Sequence, residues 1–163
     1  MSDKNKQIYA RYIELLNAQD YDALPEVVDP ERYREICVGF TPGWVSLPQA
    51  VASLRRVVTG IPDLKARIDD SVAEDNKVYA RLTVTGTNAG PFYGIPATGG
   101  TYEVSMFDYA RIEDGRIVER IQQSDTLSQF RQMYAGAAKK AVAIGGILGV
   151  VALVGRFGRR ARA

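Results

Sequence analysis

The sequence predicts an α+β domain in which three helices come first and a curled antiparallel sheet follows. Three observations carry that expectation. Apolar residues recur at helical spacing early in the chain, at Ile8, Tyr12, Leu15 and Leu16 and again at Val51, Leu54, Val57 and Val58. Between Leu82 and Asp125, three apolar, β-rich runs are joined by two sets of breakers. The first set is Gly90, Pro91, Gly94, Pro96, Gly99 and Gly100, and the second is the hairpin signal Glu113-Asp114-Gly115, so the runs should form a meander. Finally, 163 residues suffice for one well-cored domain and are too few for two comfortable ones.

The first helix is expected over residues 4–17, with Ser2 or Asp3 as its cap. A second, short helix is expected from Asp20 to Val28, with Tyr21, Leu24, Val27 and Val28 on one side. Asp29-Pro30 stops it, because the residue before proline disfavours the α region. Glu31 to Phe40 reads either as a short helix or as a turn feeding a strand, and Thr41-Pro42-Gly43 is a turn. Leu47 to Thr59 predicts the third helix: Ser46 can cap it, Pro48 suits the first turn, and Gly60 and Pro62 close it. Leu64 to Val72 and Val78 to Thr87 read as strands joined by Glu74-Asp75-Asn76, and the meander follows. Thr126 to Tyr134, with Leu127, Phe130 and Met133 at helical spacing, should cover one end of the sheet.

Composition narrows the function. Residues 136–163 hold six basic side chains and no acid, which leaves residues 1–135 at a net −4. A mildly acidic body is a poor polyanion binder, so nucleic acid is not an expected partner. There is no histidine, which removes His-dependent nucleophilic triads and His-ligated metal sites, and no metal or cofactor is expected. Cys37 stands alone, so no internal disulfide can form, and it reads as a small buried apolar side chain. The N-terminus lacks the apolar segment of a secretory signal, so a cytoplasmic location is expected.

Helices closed over a curved sheet should enclose a hollow. The aromatic and apolar residues available to line it are Tyr12, Leu16, Phe40, Trp44, Phe92, Tyr93, Met106 and Tyr109, each of which could instead be core. Asp125, at the end of the last strand, is the leading carboxylate for chemistry; it could equally cap the helix that begins at Thr126. Gln123 shares its strand parity and is expected to face the same way. Asp108 lies inside an apolar strand, where Arg111 or Arg120 could pair with it across the hairpin.

Five stretches stand out together: Pro62-Asp63-Leu64, Gly86-Thr87 with Gly94-Ile95-Pro96-Ala97-Thr98-Gly99, the hairpin from Arg111 to Glu119, the Asp20–Asp29 segment and Asp125. In order and spacing they resemble the SnoaL-like polyketide cyclases, also called ester cyclases, of the NTF2-like superfamily. The resemblance covers roughly residues 4–134 and implies an NTF2-like cone and a homodimer. It also implies cofactor-free, intramolecular aldol-type ring closure of a hydrophobic, carbonyl-rich substrate, with Asp125 as buried general acid/base. A dry pocket suits that chemistry, since burial raises a carboxyl pKa toward the range a carbon acid demands. Ketosteroid isomerase uses an Asp base in a comparable cavity. Where many relatives carry histidine, this chain has Asn88 in one segment and Arg34 and Glu35 in the other, and Ile121 stands where Trp is frequent. Asn88, Gln123 or Tyr109 would then hydrogen-bond the substrate carbonyl.

The domain is expected to end near residue 135. Residues 136–163 form a basic-flanked extension whose run 141–155 is uncharged, with Gly145 and Gly149 in a G-x-x-x-G pattern. Fifteen apolar residues fall short of the about 20 that span a bilayer, so a short anchor, a membrane-lying helix or a buried packing helix are all open.

Overall fold

The structure, a computed structural model, describes residues 2–41, 43–94 and 96–135. The expected extension at 136–163, with its apolar run, lies outside the described residues. Among the described residues no helix is long and apolar enough to cross a membrane.

Helix α1 (Ser2–Ala18) turns Tyr9, Tyr12, Ile13 and Leu15 inward. Its far end is tied down by the Asn17 amide, which donates to the Ala66 carbonyl (2.7 Å) and accepts from the Ala66 N–H (2.8 Å). The expected second helix is a single 3₁₀ segment, Tyr21–Glu26. Pro25 sits inside it and has no N–H to give, so an α-helix from Asp20 to Val28 does not form. Glu31 to Phe40 resolves to strand β1 (Arg34–Cys37), followed by the two-residue β2 (Val45–Ser46). Helix α2 (Leu47–Gly60) starts as expected, with Gln49 Oε1 accepting from the Ser46 N–H (2.9 Å) and Pro48 in the first turn.

Strands β3 (Lys65–Glu74), β4 (Lys77–Thr87), β5 (Thr101–Glu113) and β6 (Arg116–Ser124) form the meander. The sheet has six strands in the order β2-β1-β6-β5-β4-β3. One pairing departs from the expected antiparallel sheet: β1 runs parallel to β6, with Glu35 opposite Arg120. A last helix, α3, covers residues 126–135.

Alternation along β4 and β5 sets the two faces. Val78, Ala80, Leu82 and Val84, with Tyr102, Val104, Met106, Asp108 and Ala110, point to the helices, and their neighbours point away. At the β5–β6 hairpin, Glu113 pairs with Arg116 and Ile112 with Ile117, but Arg111 pairs with Glu119. Val118 is therefore an extra residue, a β-bulge that inverts the parity of everything after it. Beyond it Arg120 sits opposite Ala110 and Ser124 opposite Met106, so Arg120, Gln122 and Ser124 face the helices.

Candidate functional site

Between the helices and the inner sheet face lies a chamber of about 160 Å³. Leu16, Leu54, Val57, Phe92, Val104 and Met106 make its apolar wall. Its polar wall carries Glu35, Arg120, Gln122 and Ser124, with Cys37 beside them. Phe40, Ser53, Val57, Phe92 and Tyr93 also border an outer cleft of about 710 Å³ between α2 and the loop after β4. Phe40 and Tyr93 pack with ring centroids 5.5 Å apart at that boundary.

Beneath the polar wall is a buried cluster built from α1 and three strands. Arg120 donates through Nε to Asp108 Oδ2 (2.8 Å), with Nη2 2.7 Å from the same oxygen, and through Nη1 to Glu35 Oε2 (3.3 Å). Tyr9 donates to Asp108 Oδ2 (2.7 Å), and Tyr33 to Glu35 Oε2 (2.7 Å). The Tyr12 ring lies 5.3 Å from the Arg120 guanidinium carbon, and its hydroxyl is 3.3 Å from that of Tyr33. Parallel pairing of β1 with β6 is what brings Glu35 level with Arg120.

Two carboxyl groups face one guanidinium, so full ionisation would leave the cluster with one uncompensated negative charge. Burial raises the Asp108 carboxyl above its ordinary value, against the opposing pull of Arg120 and Tyr9. Asp108 Oδ1 has no hydrogen-bond partner among the described residues. Neighbouring carboxylates keep Arg120 firmly protonated despite its burial. Burial also pushes the Tyr12 hydroxyl to about 12 and the Cys37 thiol to about 11, so both stay neutral and the thiol is a poor nucleophile.

The residues singled out from the sequence divide sharply. Leu16, Phe40, Phe92 and Met106 line the chamber, and Tyr12 lies one layer deeper, against Arg120. The structure places Asp125, Gln123, Tyr109, Trp44 and Asn88 outside the chamber wall. Asp125 is exposed, and its Oδ1 accepts from the Ser128 N–H (3.0 Å), a bond that lowers its pKa. It is the N-cap of α3, the alternative role the sequence allows, and is not the buried carboxyl. Gln123 and Tyr109 lie on the open face of the sheet, turned there by the Val118 bulge and by β5 alternation respectively. Trp44 is 46% exposed, with the Arg34 guanidinium over its ring at 4.6 Å. Asn88 is fully buried but serves the loop after β4, donating to the Gly90 carbonyl (2.8 Å) and accepting from the Thr98 N–H (3.0 Å).

Glu35 and Arg120 are the functional candidates that sequence patterning does not single out. The local signal is weak: each is a charged strand residue with an isoleucine on one side, Ile36 or Ile121, and another charged residue on the other, Arg34 or Glu119. The sequence does anticipate an Arg partner for Asp108, and of its two candidates Arg120 is the one.

Comparison with known proteins places this architecture. The family model of SnoaL-like polyketide cyclase matches residues 6–133. The chain belongs to the SnoaL-like polyketide cyclase family. Among solved structures, TsrD from Streptomyces laurentii is 30% identical, with a TM-score of 0.70 over 80% of this chain and 95% of that one. Wild-type IdmH from Streptomyces antibioticus is 25% identical, with a TM-score of 0.73 over 79% of this chain and 97% of that one. A protein from Jannaschia sp. CCS1 shares the fold at 24% identity and a TM-score of 0.75, covering 83% and 94% of the two chains. No curated protein sequence matches the chain. Family membership bears out the NTF2-like α+β fold and a small-molecule substrate class.

Proposed function

We propose that this SnoaL-like chain closes a ring in a compact, carbonyl-rich hydrophobic substrate of polyketide type, without a cofactor, and that Glu35 moves the proton. The observation that carries this reading is the placement of Glu35 and Arg120 side by side on the polar wall of a chamber whose other wall is apolar. Both hydrogen bonds to Glu35 end on Oε2, which leaves Oε1 as the oxygen for a substrate proton. Glu35 would take a proton from a carbon between carbonyls, and the guanidinium of Arg120 would face the enolate oxygen that develops. The enolate carbon then attacks a second carbonyl of the same molecule, forming the C–C bond. The new alkoxide recovers the proton from the Glu35 carboxylic acid, so the sum is an isomerisation.

A carbon-acid probe tests this directly. In D₂O, the chain should accelerate exchange of the α-protons of 2-tetralone, followed by proton NMR. Glu35→Gln should slow that exchange by about 10²- to 10⁴-fold. Asp125→Asn should leave it unchanged, because that carboxylate lies outside the chamber. Unchanged exchange in Glu35→Gln would remove Glu35 from the chemistry. It would favour the second reading, a module that binds a hydrophobic small molecule without turning it over. That reading draws on the way Tyr33 and Arg120 already engage Glu35.

The same proposal includes a second copy of the chain as partner. The open sheet face leaves Val72, Tyr79 and Phe107 exposed around a hollow of about 340 Å³. An exposed face with apolar side chains of this kind suits a two-fold dimer.

A further inference from the structure

Arg120, Gln122 and Ser124 project inward from β6, and the first of them is committed to Asp108 and Glu35. Gln122 is not so committed. It lines the chamber, is half-buried, and its side-chain amide has no hydrogen-bond partner among the described residues. Neither polar atom of that amide is sealed from solvent, in contrast to Oδ1 of Asp108. Asp108 lies directly across the ladder, and its unpaired Oδ1 shows that the amide is not turned to it. On the other side Cys37 is level with Gln122, as Glu35 is level with Arg120. Burial keeps that thiol neutral, so it offers the amide no charged partner.

A glutamine amide carries two N–H donors and one carbonyl acceptor, and here all three face a hollow rather than the protein. Residues two apart on a strand share a face and stand about 6.6 Å from each other. Two carbonyl groups on the separate rings of a compact fused pair match that step. We propose that Gln122 donates an amide N–H to the electrophilic carbonyl oxygen, the one that becomes the alkoxide on ring closure, while Arg120 faces the enolate oxygen. Gln122 then acts as a specificity residue, which favours substrates with two oxygens set one strand step apart. The Val118 bulge gives it this place, since the parity it inverts turns Gln123 out and Gln122 in. This role rests on the chamber being the substrate site, and does not require Glu35 to act as a base.

Calorimetric titration of the intact chain with trans-decalin-1,5-dione and with trans-1-decalone, which differ by one carbonyl oxygen, tests it. Gln122→Met keeps the length of the side chain and removes the donor. It should weaken the dione by about three- to tenfold, the reach of one neutral hydrogen bond. The decalone, whose single oxygen goes to the cation, should bind unchanged. Infrared spectra of the bound dione should show two lowered carbonyl bands in the wild type, one of which returns in Gln122→Met toward its position in hydrocarbon solvent. Equal weakening of both ketones, no change in either, or an unmoved band would each overturn the proposal. So would a variant that fails to fold, because the amide would then be a structural tie. Should the wild type bind neither ketone, the chamber itself would fall as the substrate site. Binding is read without turnover, so an inert Glu35 is detected separately by the exchange experiment.

Discussion

Arg120 holds the inner polar cluster together, and its energetic role can be separated from any role in chemistry. It is 3% exposed and contacts two carboxyl groups that have no other cation close by among the described residues. Removing the cation would leave Asp108 and Glu35 facing each other without compensation. Arg120→Gln should therefore cost about 3–5 kcal/mol, the usual penalty for breaking a buried pair. Urea unfolding measures it, and a loss below about 1 kcal/mol would mean that the carboxyls reorganise or take up protons. The same residue shows where sequence reasoning stops short. Hydropathy alone cannot separate a charged strand residue that faces solvent from one buried against a partner, because the partner, Glu35, is 85 positions away. Asp125 misleads for the opposite reason. Its position just before a helix is a local cap signal, and that local demand accounts for its side chain.

At the scale of elements, most of the fold was legible because it is built from local periodicity. Helices α1, α2 and α3 and the four long strands fall where spacing and breakers put them. What escaped was set by long-range or single-residue events: Pro25 reduces the second helix to a 3₁₀ turn, and β1 finds β6 only in the folded chain. Docking of α3 is a further example. Thr98 donates through Oγ1 to the Met133 carbonyl (2.7 Å), and Gln132 exchanges two hydrogen bonds with the backbone of Glu103. Gly100 lets the chains approach, since a β-carbon there would overlap the Met133 carbonyl oxygen. Gly100→Ala should push α3 off the start of β5 and cost about 1–3 kcal/mol, as overpacking does. Thermal unfolding checks this, and an unchanged melting temperature would show that the contact yields without penalty.

For the whole molecule, the asymmetry of the sheet matters most: one face is closed by helices, and the other presents Tyr79, Phe107 and Tyr109 to solvent. The rings of Tyr79 and Tyr109 pack at 5.2 Å, which gives the open face a firm aromatic platform. Phe107, 60% exposed, is its most prominent ring. The wild type should sediment as a dimer, and Phe107→Glu, which places a charge at that face without touching the chamber, should sediment as a monomer. Identical sedimentation of the two would exclude this face as the interface.

A single surplus residue, Val118, decides which chemistry ends up indoors. Were the bulge ironed out with Val118 kept in the ladder, Val118 would pair with Arg111 and the rest of the final strand would roll over by half a turn. Its guanidinium would swing out to the aromatic platform, and Glu119, Ile121 and Gln123 would turn toward the hollow in place of Arg120, Gln122 and Ser124. A fold of nearly the same outline would then lack its buried cation, so the proposed ring closure depends on a stumble in register as much as on the groups that register delivers.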